Sequence, residues 1–419
     1  MSEGAGPWRP EALPQIEHSE IAPRGFEILE FSGRGPLSGL SCSMIQPSEL
    51  IEPSDWIEIV SELESWGEVP DPQSIVHVST SDHVRGPIAN LRSDTEWVAE
   101  FLPWGTDGLL RKRVNSYPES CDLPCGGYSW NGSEVISIRK EVGQNTNSRE
   151  LLLDAFEHGS MKDAAEILRD CGRGLGSVHS HVEGIRVTPA DPNRWNSRVS
   201  ELEEALNAHS IWRAPYSSDA ECMTCIGDVR LEDFRTGSVR ISRPRLSDAL
   251  HPPNCGFPAI RDLASLIHDL SRLHYASGTD FDIVGLRLSL IEGWRETAPR
   301  KWASDNVLYS HRGGLAIWEY EQCLLDVIEA TSHQSGAPEP AVGLIAHVPS
   351  FQKKMFNNRT IGALSIMAGF FGITSIYRTF PPSSQEIVMP SLFIIASATL
   401  MLTYRRMSPS PEIPFNLLG

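Results

Sequence analysis

Two runs of eighteen uncharged residues near the C-terminus constrain this chain most: TIGALSIMAGFFGITSIY (360–377) and IVMPSLFIIASATLMLTY (387–404). Each is close to the shortest helix that crosses a hydrocarbon core. The nine residues between them, RTFPPSSQE, carry Pro381-Pro382 and suit a tight turn. Lys353, Lys354 and Arg359 precede the first run, and Arg405 and Arg406 follow the second; Arg378 alone lies between them. The excess of basic residues on the outer flanks places both ends in the cytoplasm and the short loop outside. Ser365 and Gly369, Ala368 and Gly372, and Ala396-Ser397-Ala398 are small enough to let two such helices approach closely. The alternative, a pair of buried core helices, leaves the basic flanks unexplained. The expectation is a membrane hairpin with a cytoplasmic tail at 405–419 and the lipid bilayer as a partner.

The rest of the chain is long enough for a two-lobed globular region, and it is acidic. The sequence has 54 Asp and Glu against 36 Lys and Arg, a net charge of −18. Residues 1–100 hold 18 carboxylates and 5 arginines, whereas 351–419 hold 6 basic residues and 2 glutamates. Such a balance argues against a nucleic-acid partner, because phosphate contacts need a basic footprint. Eight cysteines are too few for a disulfide scaffold in 419 residues. Cys222-x-x-Cys225 and Cys121-x-x-x-Cys125 could meet at a zinc ion or be small buried side chains. Residues 1–25 are acidic and Pro-rich, and read as a disordered tail.

Residues 26–150 read as strand-rich. FEILEF (26–31) and Cys42 to Ile45 flank a turn with Gly33, Gly35 and Gly39, the shape of a nucleotide-covering hairpin and of any other hairpin. SDWIEIVSELESW (54–66) has helical periodicity, while SIVHVST (74–80), GLLRKRV (108–114) and EVISIRKEV (134–142) suggest strands. From 151 to 350 the pattern is helical: 161–182, 194–209, 261–276, 282–298 and 315–332 all carry apolar residues at helical spacing.

The stretch 224–264, TCIGDVRLEDFRTGSVRISRPRLSDALHPPNCGFPAIRDLA, has a distinctive order. Gly227-Asp228 is followed five residues on by Asp233, then by a turn, the short run SVRIS, and a helix opening Asp262-Leu263-Ala264. This order resembles the catalytic loop of the aminoglycoside phosphotransferase and choline kinase-like families of the protein-kinase-like superfamily. LGSVHS (175–180) is similar to the end of the helix that precedes that loop, and the helical insertion at 193–209 is similar to theirs. The resemblance implies an α+β, two-lobed, protein-kinase-like fold, with a strand-rich N-lobe and a helical C-lobe ahead of the membrane hairpin. It implies a phosphotransferase using ATP and Mg²⁺ on a small-molecule or protein substrate. Asp228 would accept the substrate hydroxyl's proton, Arg230 would touch the transferred phosphoryl group and Asp233 would hold the metal. Asp262 would tie the helix to the loop through backbone N–H groups. Gly33 and Gly35 would cover the nucleotide. Lys112 would be the phosphate lysine, with Lys140 as the other first-lobe choice and Glu62 or Glu64 as its partner.

The chain departs from that pattern at three places. Ile226 stands where the family has histidine. Ser242 and Arg243 stand where a second metal-binding aspartate should end the strand, and Asp248 is the nearest carboxylate. Lysine is scarce, and none precedes Lys112. These departures raise a second expectation, a catalytically dead pseudokinase acting as a nucleotide-binding or scaffold module at the membrane.

Overall fold

The computed structural model describes residues 7–16, 21–34, 38, 40–106, 109–118, 121–140, 146–182, 192–206, 226–235, 238–241, 243–250, 256–309, 314–380, 383 and 385–407. The chain forms two compact units, the first ending at Ile345 and the second beginning at Ala346.

Two sheets dominate the first part. A three-stranded antiparallel sheet joins β1 (Gln15–Ile16), β2 (Phe26–Ser32) and β3 (Ser41–Pro47). A six-stranded antiparallel sheet contains β4 (Glu64–Gly67), β5 (His77–Ser81), β6 (Ile88–Arg92), β7 (Glu96–Phe101), β8 (Gly126–Trp130) and β9 (Ser133–Lys140), in the order β4-β8-β9-β7-β6-β5. Helix α1 (Pro53–Val60) packs Trp56 and Ile59 onto this sheet's core with Leu91, Ala99, Ile136 and Ile138. Helix α2 (Leu109–Ser116) lies between β7 and β8 in sequence.

Helices form the rest of the unit: α3 (Ser148–Glu157), α4 (Met161–His181), α5 (Pro192–Ala205), α6 (Leu246–Leu250), α7 (Ala259–Ser277), α8 (Ile283–Thr297), α9 (Arg300–Ala303), α10 (Asp305–Leu308) and α11 (Leu315–Ser332). The two-residue strands β10 (Phe234–Arg235) and β11 (Ser238–Val239) form a small antiparallel ribbon among them. The mixed architecture, strand-rich then helical, matches the expectation from periodicity.

Three local expectations need correction. The strand expected over 108–114 is not found in its described residues: 109–116 form α2, because a short apolar run is compatible with either element and its Leu110 is buried in the helical form. The helix expected over 54–66 stops at Val60, and Glu64–Gly67 peels away to pair with β8. The described part of 1–25 is not a disordered tail. Trp8 and Leu13 are buried, Gln15 and Ile16 pair with β2, and the Ala12 amide donates to the Ser332 carbonyl at 2.8 Å. Two large apolar side chains suffice to dock a segment whose average composition looks unfoldable.

Helices α4 and α8 cross at backbone contact. A β-carbon at Gly293 would lie 2.1 Å from the Arg169 carbonyl oxygen, and one at Gly172 would lie 2.2 Å from the Leu290 oxygen. The obstacles are backbone atoms, so the helices themselves would have to separate. Gly293→Ala is therefore expected to cost about 1–3 kcal/mol, the usual range for overpacking. Its thermal midpoint, compared with that of Gly285→Ala on the same helix, checks this. A β-carbon at Gly285 meets only the Asp282 and Met161 side chains.

The face of α11 buries a line of carboxylates, each matched by arginine. Glu321 accepts from Arg198 at 2.6 Å and from Arg261 at 2.7 Å; Asp326 accepts from Arg245 at 2.6 Å, and Glu319 from Arg287 at 2.7 Å. Burial by itself would raise Glu321, Asp326 and Glu329, but the guanidiniums, joined at Asp326 by His268, outweigh it and hold all three low. Glu232 is likewise pulled down to about 2 by His83, Arg85 and Arg230 against its burial. A carboxylate whose folded pKa is depressed stabilises the fold above its unfolded pKa and loses that contribution as pH falls. Stability should thus decline from about pH 4.5 downward and continue falling toward pH 2. Tryptophan fluorescence across an acid titration tests this; a plateau down to pH 3 would contradict it. Asp269, raised by burial, works weakly in the opposite direction.

The second unit holds most of α12 (Ala341–Arg378) and all of α13 (Val388–Met407). Within it, Phe356–Arg378 and Val388–Met407 are long and apolar enough to cross a membrane, and only 11% and 6% of their apolar windows are buried. Core helices would be mostly covered. The helices meet along small residues: the Ser365 hydroxyl donates to the Ser397 carbonyl at 2.8 Å, and a β-carbon at Gly369 would lie 2.9 Å from the Ser397 hydroxyl. Gly372 similarly faces Pro390 and Ile394.

Candidate functional site

The site is built on one face of α7. Asp262, Ser265 and Asp269, spaced three and four residues apart, project to the same side of the helix. Asp262 accepts the amide of Ile226 at 2.7 Å and that of Gly227 at 3.1 Å. Ser265 accepts the Val229 amide at 3.1 Å, and Asp269 accepts the Leu231 amide at 2.9 Å. Four amides of the loop 226–231 are thus fixed by a rigid helix. Gly227 has φ +107°, a conformation that side chains resist. The role that the resemblance implies for Asp262 is present as hydrogen bonds.

His179 backs this brace from α4. Its Nε2 lies 3.1 Å from Asp262, and its Nδ1 accepts the Trp294 indole N–H at 3.0 Å. Indole nitrogen can only donate, so Nδ1 is the acceptor and Nε2 carries the hydrogen that Asp262 receives.

The loop delivers Asp228 into a cage of arginines. Its Oδ2 lies 2.9 Å from Arg230 Nε and 3.1 Å from Arg85 Nε, and its Oδ1 lies 3.6 Å from Arg245. Burial would raise its carboxyl, yet Arg230, Arg85 and Arg245 together hold it far below the ordinary carboxylate range. A carboxylate so held is a weakened base.

Asp233 meets the same arginine. Arg85 Nη1 donates to Asp233 Oδ1 at 3.1 Å, and its Nη2 donates to the Asp228 carbonyl at 2.9 Å. Asp233 also accepts the Arg230 amide at 2.9 Å. The guanidinium of Arg85 therefore lies between the two carboxylates and touches both. It is 3% exposed and comes from the turn between β5 and β6. Its charge is secure: burial opposes it, but Asp233, Asp228 and Glu232 more than compensate.

Behind Arg85 stands Arg243, in the place where the resemblance calls for a second metal-binding aspartate. Arg243 donates to the Gly86 carbonyl at 3.0 Å and to His83 Nδ1 at 2.7 Å, which ties down the turn that carries Arg85. Burial pushes its guanidinium down to about 10. Asp248 is engaged elsewhere, 3.3 Å from Arg198.

The other expected residues do not gather here. Lys112 is exposed on α2, not on a strand. Glu62 accepts the Arg24 amide at 2.9 Å, and Glu64 is exposed on β4. The strand lysine Lys140 pairs with Glu68 and lies 5.2 Å over the Trp97 ring. Gly33 closes the β2–β3 hairpin, its amide donating to Leu40 at 2.7 Å, and this hairpin belongs to the three-stranded sheet. Gly35, Ser242, Cys222 and Cys225 lie outside the described residues. Cys121 and Cys125 are free thiols, raised by burial.

Magnesium needs oxygen ligands that are free to face it. Asp228 and Asp233 are spent on Arg85, and Arg243 replaces the third carboxylate. Among the described residues, no group of three or more His, Cys, Asp or Glu is placed to hold a metal ion. The residues present do not fit Mg²⁺.

Sequence reasoning did not find Arg85, nor the partly buried cluster of Glu100, Asp122, Arg139 and Arg240. One hint existed. Arg85 is the first basic residue after Arg34, and it precedes Gly86-Pro87 in a turn between strands. A lone arginine in so acidic a stretch has unpaired charge to place.

No protein-family model matches this chain, and no curated protein does. Among solved structures it is similar to a glucosamine kinase in complex with glucosamine, ADP and inorganic phosphate. The identity is 11% over 79% of this chain and 91% of that chain, with a TM-score of 0.44. Two crystal forms of glucosamine kinase are 12% identical over 76% of this chain and 89% and 87% of theirs, with TM-scores of 0.45 and 0.47. Likeness at this level leaves the function to the chemistry of the site itself.

Proposed function

We propose that the protein is a membrane-anchored, kinase-like module whose phosphoryl-transfer site is closed, acting by binding or scaffolding. The observation that carries this reading is Arg85. Phosphoryl transfer relies on metal ions bridging the phosphates and on a carboxylate that receives the hydroxyl proton. Here a guanidinium takes the position between those carboxylates. It brings one fixed charge and only N–H donors, so it cannot bridge phosphates as a divalent ion does. The hairpin 360–404 would hold the module on the cytoplasmic side of a bilayer, with lipid as its partner.

A second reading is a phosphotransferase of the aminoglycoside type, acting on a small molecule or a protein once Arg85 withdraws. The intact brace from Asp262, Ser265 and Asp269 favours it, since a loop without chemistry needs no such support. Calorimetry on the full chain in detergent separates the two. ATP is titrated with and without Mg²⁺ into wild type, and [γ-³²P]ATP consumption is followed in parallel. The closed-site reading expects no Mg²⁺-dependent binding at millimolar ATP. Mg²⁺-dependent binding by wild type would sink it and start a substrate search.

A further inference from the structure

Next to the closed site, the ribbon β10–β11 meets the six-stranded sheet through a cluster with more positive than negative charge. Its carboxylates are Glu100 and Asp122. Glu100 accepts from Arg139 at 3.0 Å and from Arg240 at 3.3 Å, and Arg243 lies 4.0 Å away. Asp122 accepts from Arg139 at 2.9 Å and from Arg240 at 2.7 Å. Both oxygens of both carboxylates are thus taken. Arg235, on β10, is the fourth arginine of this group. It is half-buried, its Nε is buried without a hydrogen-bond partner, and among the described residues its guanidinium forms no ion pair. Four guanidiniums therefore surround Glu100 and Asp122; Asp233 of the closed site also acts on Arg240 and Arg243, and Glu232 on Arg243, which leaves Arg235 as the arginine with no ion pair among the described residues. The ribbon cannot easily swing away to relieve this. Arg235 is in a backbone bridge with Asn147, and Arg240 is in one with Asp122.

An uncompensated positive charge held at a partly buried place is costly for the protein alone, and an anion removes that cost. We infer that Arg235, with Arg240 beside it, forms a binding site for a phosphate-bearing small molecule. Guanidinium forks match phosphate oxygens through paired N–H donors, which chloride cannot exploit. The inference deepens the binding-module reading by giving the ligand's chemistry. It uses neither Asp228 nor Asp233, so it stands whether or not phosphoryl transfer occurs.

The test uses inorganic pyrophosphate as probe and the full chain in detergent. Thermal midpoints are read at constant ionic strength, with sodium chloride as the matched control. Wild type should be stabilised by pyrophosphate and not by chloride, since a ligand that binds only the folded state raises its midpoint. Arg235→Ala should weaken pyrophosphate binding about tenfold or more, the loss of a charge-assisted pair. Arg235→Lys should recover part of it. Arg92→Ala, an exposed arginine on β6, should bind as wild type does. Without anion, Arg235→Ala should melt no lower than wild type, because it removes repulsion.

Equal stabilisation of wild type and Arg235→Ala would overturn the inference, as would no response to pyrophosphate. A lower melting point for Arg235→Ala without anion would make Arg235 structural and would also overturn it. Failure here would leave the ATP titration above untouched, so the two readings fall separately.

Discussion

Arg85→Ala is expected to destabilise the first unit by about 3–5 kcal/mol, the cost of removing one partner from a buried ion pair. The substitution leaves Asp228 and Asp233 facing each other in a place where both are almost fully covered. Arg230 and Arg245 still hold Asp228 and the Arg230 amide still reaches Asp233, but both carboxylates lose the guanidinium they share. The resulting negative charge should draw a divalent cation. Millimolar Mg²⁺ or Mn²⁺ should therefore raise the variant's melting point and leave wild type unchanged. Arg85→Lys should fall between the two, because one ammonium cannot reach both carboxylates and the Asp228 carbonyl together. A variant as stable as wild type would show that the guanidinium adds nothing there. A destabilised variant indifferent to divalent ions would show that the two carboxylates do not form a cation site even when released. Either result would remove the main support for a closed site.

Asp262→Ala should be nearly as severe, at about 3–5 kcal/mol. The carboxylate accepts two loop amides and the His179 Nε2–H, and all three would lose their partner, the Ile226 amide and His179 in fully buried places. Each orphaned donor costs about 1–3 kcal/mol. Asp262→Asn should not rescue the loop. An amide side chain offers one acceptor oxygen, and its NH₂ would face a donor at the other position. Hydrogen exchange is the sharper readout than melting. The amides of Ile226 and Gly227 should lose protection in both variants, while those at the centre of α11 keep theirs. Retained protection at Ile226 and Gly227 would mean that the loop is held by packing and not by this carboxylate.

Asp262 and Arg85 differ in how far the sequence reveals them. Asp262 was legible only through the resemblance of 224–264 to a kinase-like catalytic loop, since the amides it binds lie 35 and 36 residues away. Asp262-Leu263-Ala264 opens a strongly periodic helix, and the loop amides it binds lie in the motif Ile226-Gly227-Asp228. A helix face and a tight turn are set by short-range sterics and hydrogen bonds, which a few adjacent residues encode. The apolar runs at 360–377 and 387–404 are legible for the same reason. Length and lack of charge are local quantities, and Ser365, Gly369 and Gly372 do face the second helix along one side. Where local information was thin, the reading erred. GLLRKRV has too few residues to separate a period of two from one of 3.6, and its surroundings made it α2. Residues 54–66 satisfy helix periodicity throughout, but pairing with β8 gave Glu64–Gly67 a better use for its backbone groups.

Arg85 lay beyond any such reading. It meets Asp228 across 143 residues of sequence, and nothing near position 85 specifies which carboxylate it will find. Neighbouring residues encode the elements, namely the strand-rich and helical halves and the hairpin of apolar helices, while the braced loop with Asp228 and Asp233 was legible only through its resemblance to a kinase-like catalytic loop. What Asp228 and Asp233 can do follows only from folding, because folding chose their counter-ion. Helix and strand periods are properties of neighbouring residues, whereas the partner of a buried charge is fixed only when distant segments pack and exclude water.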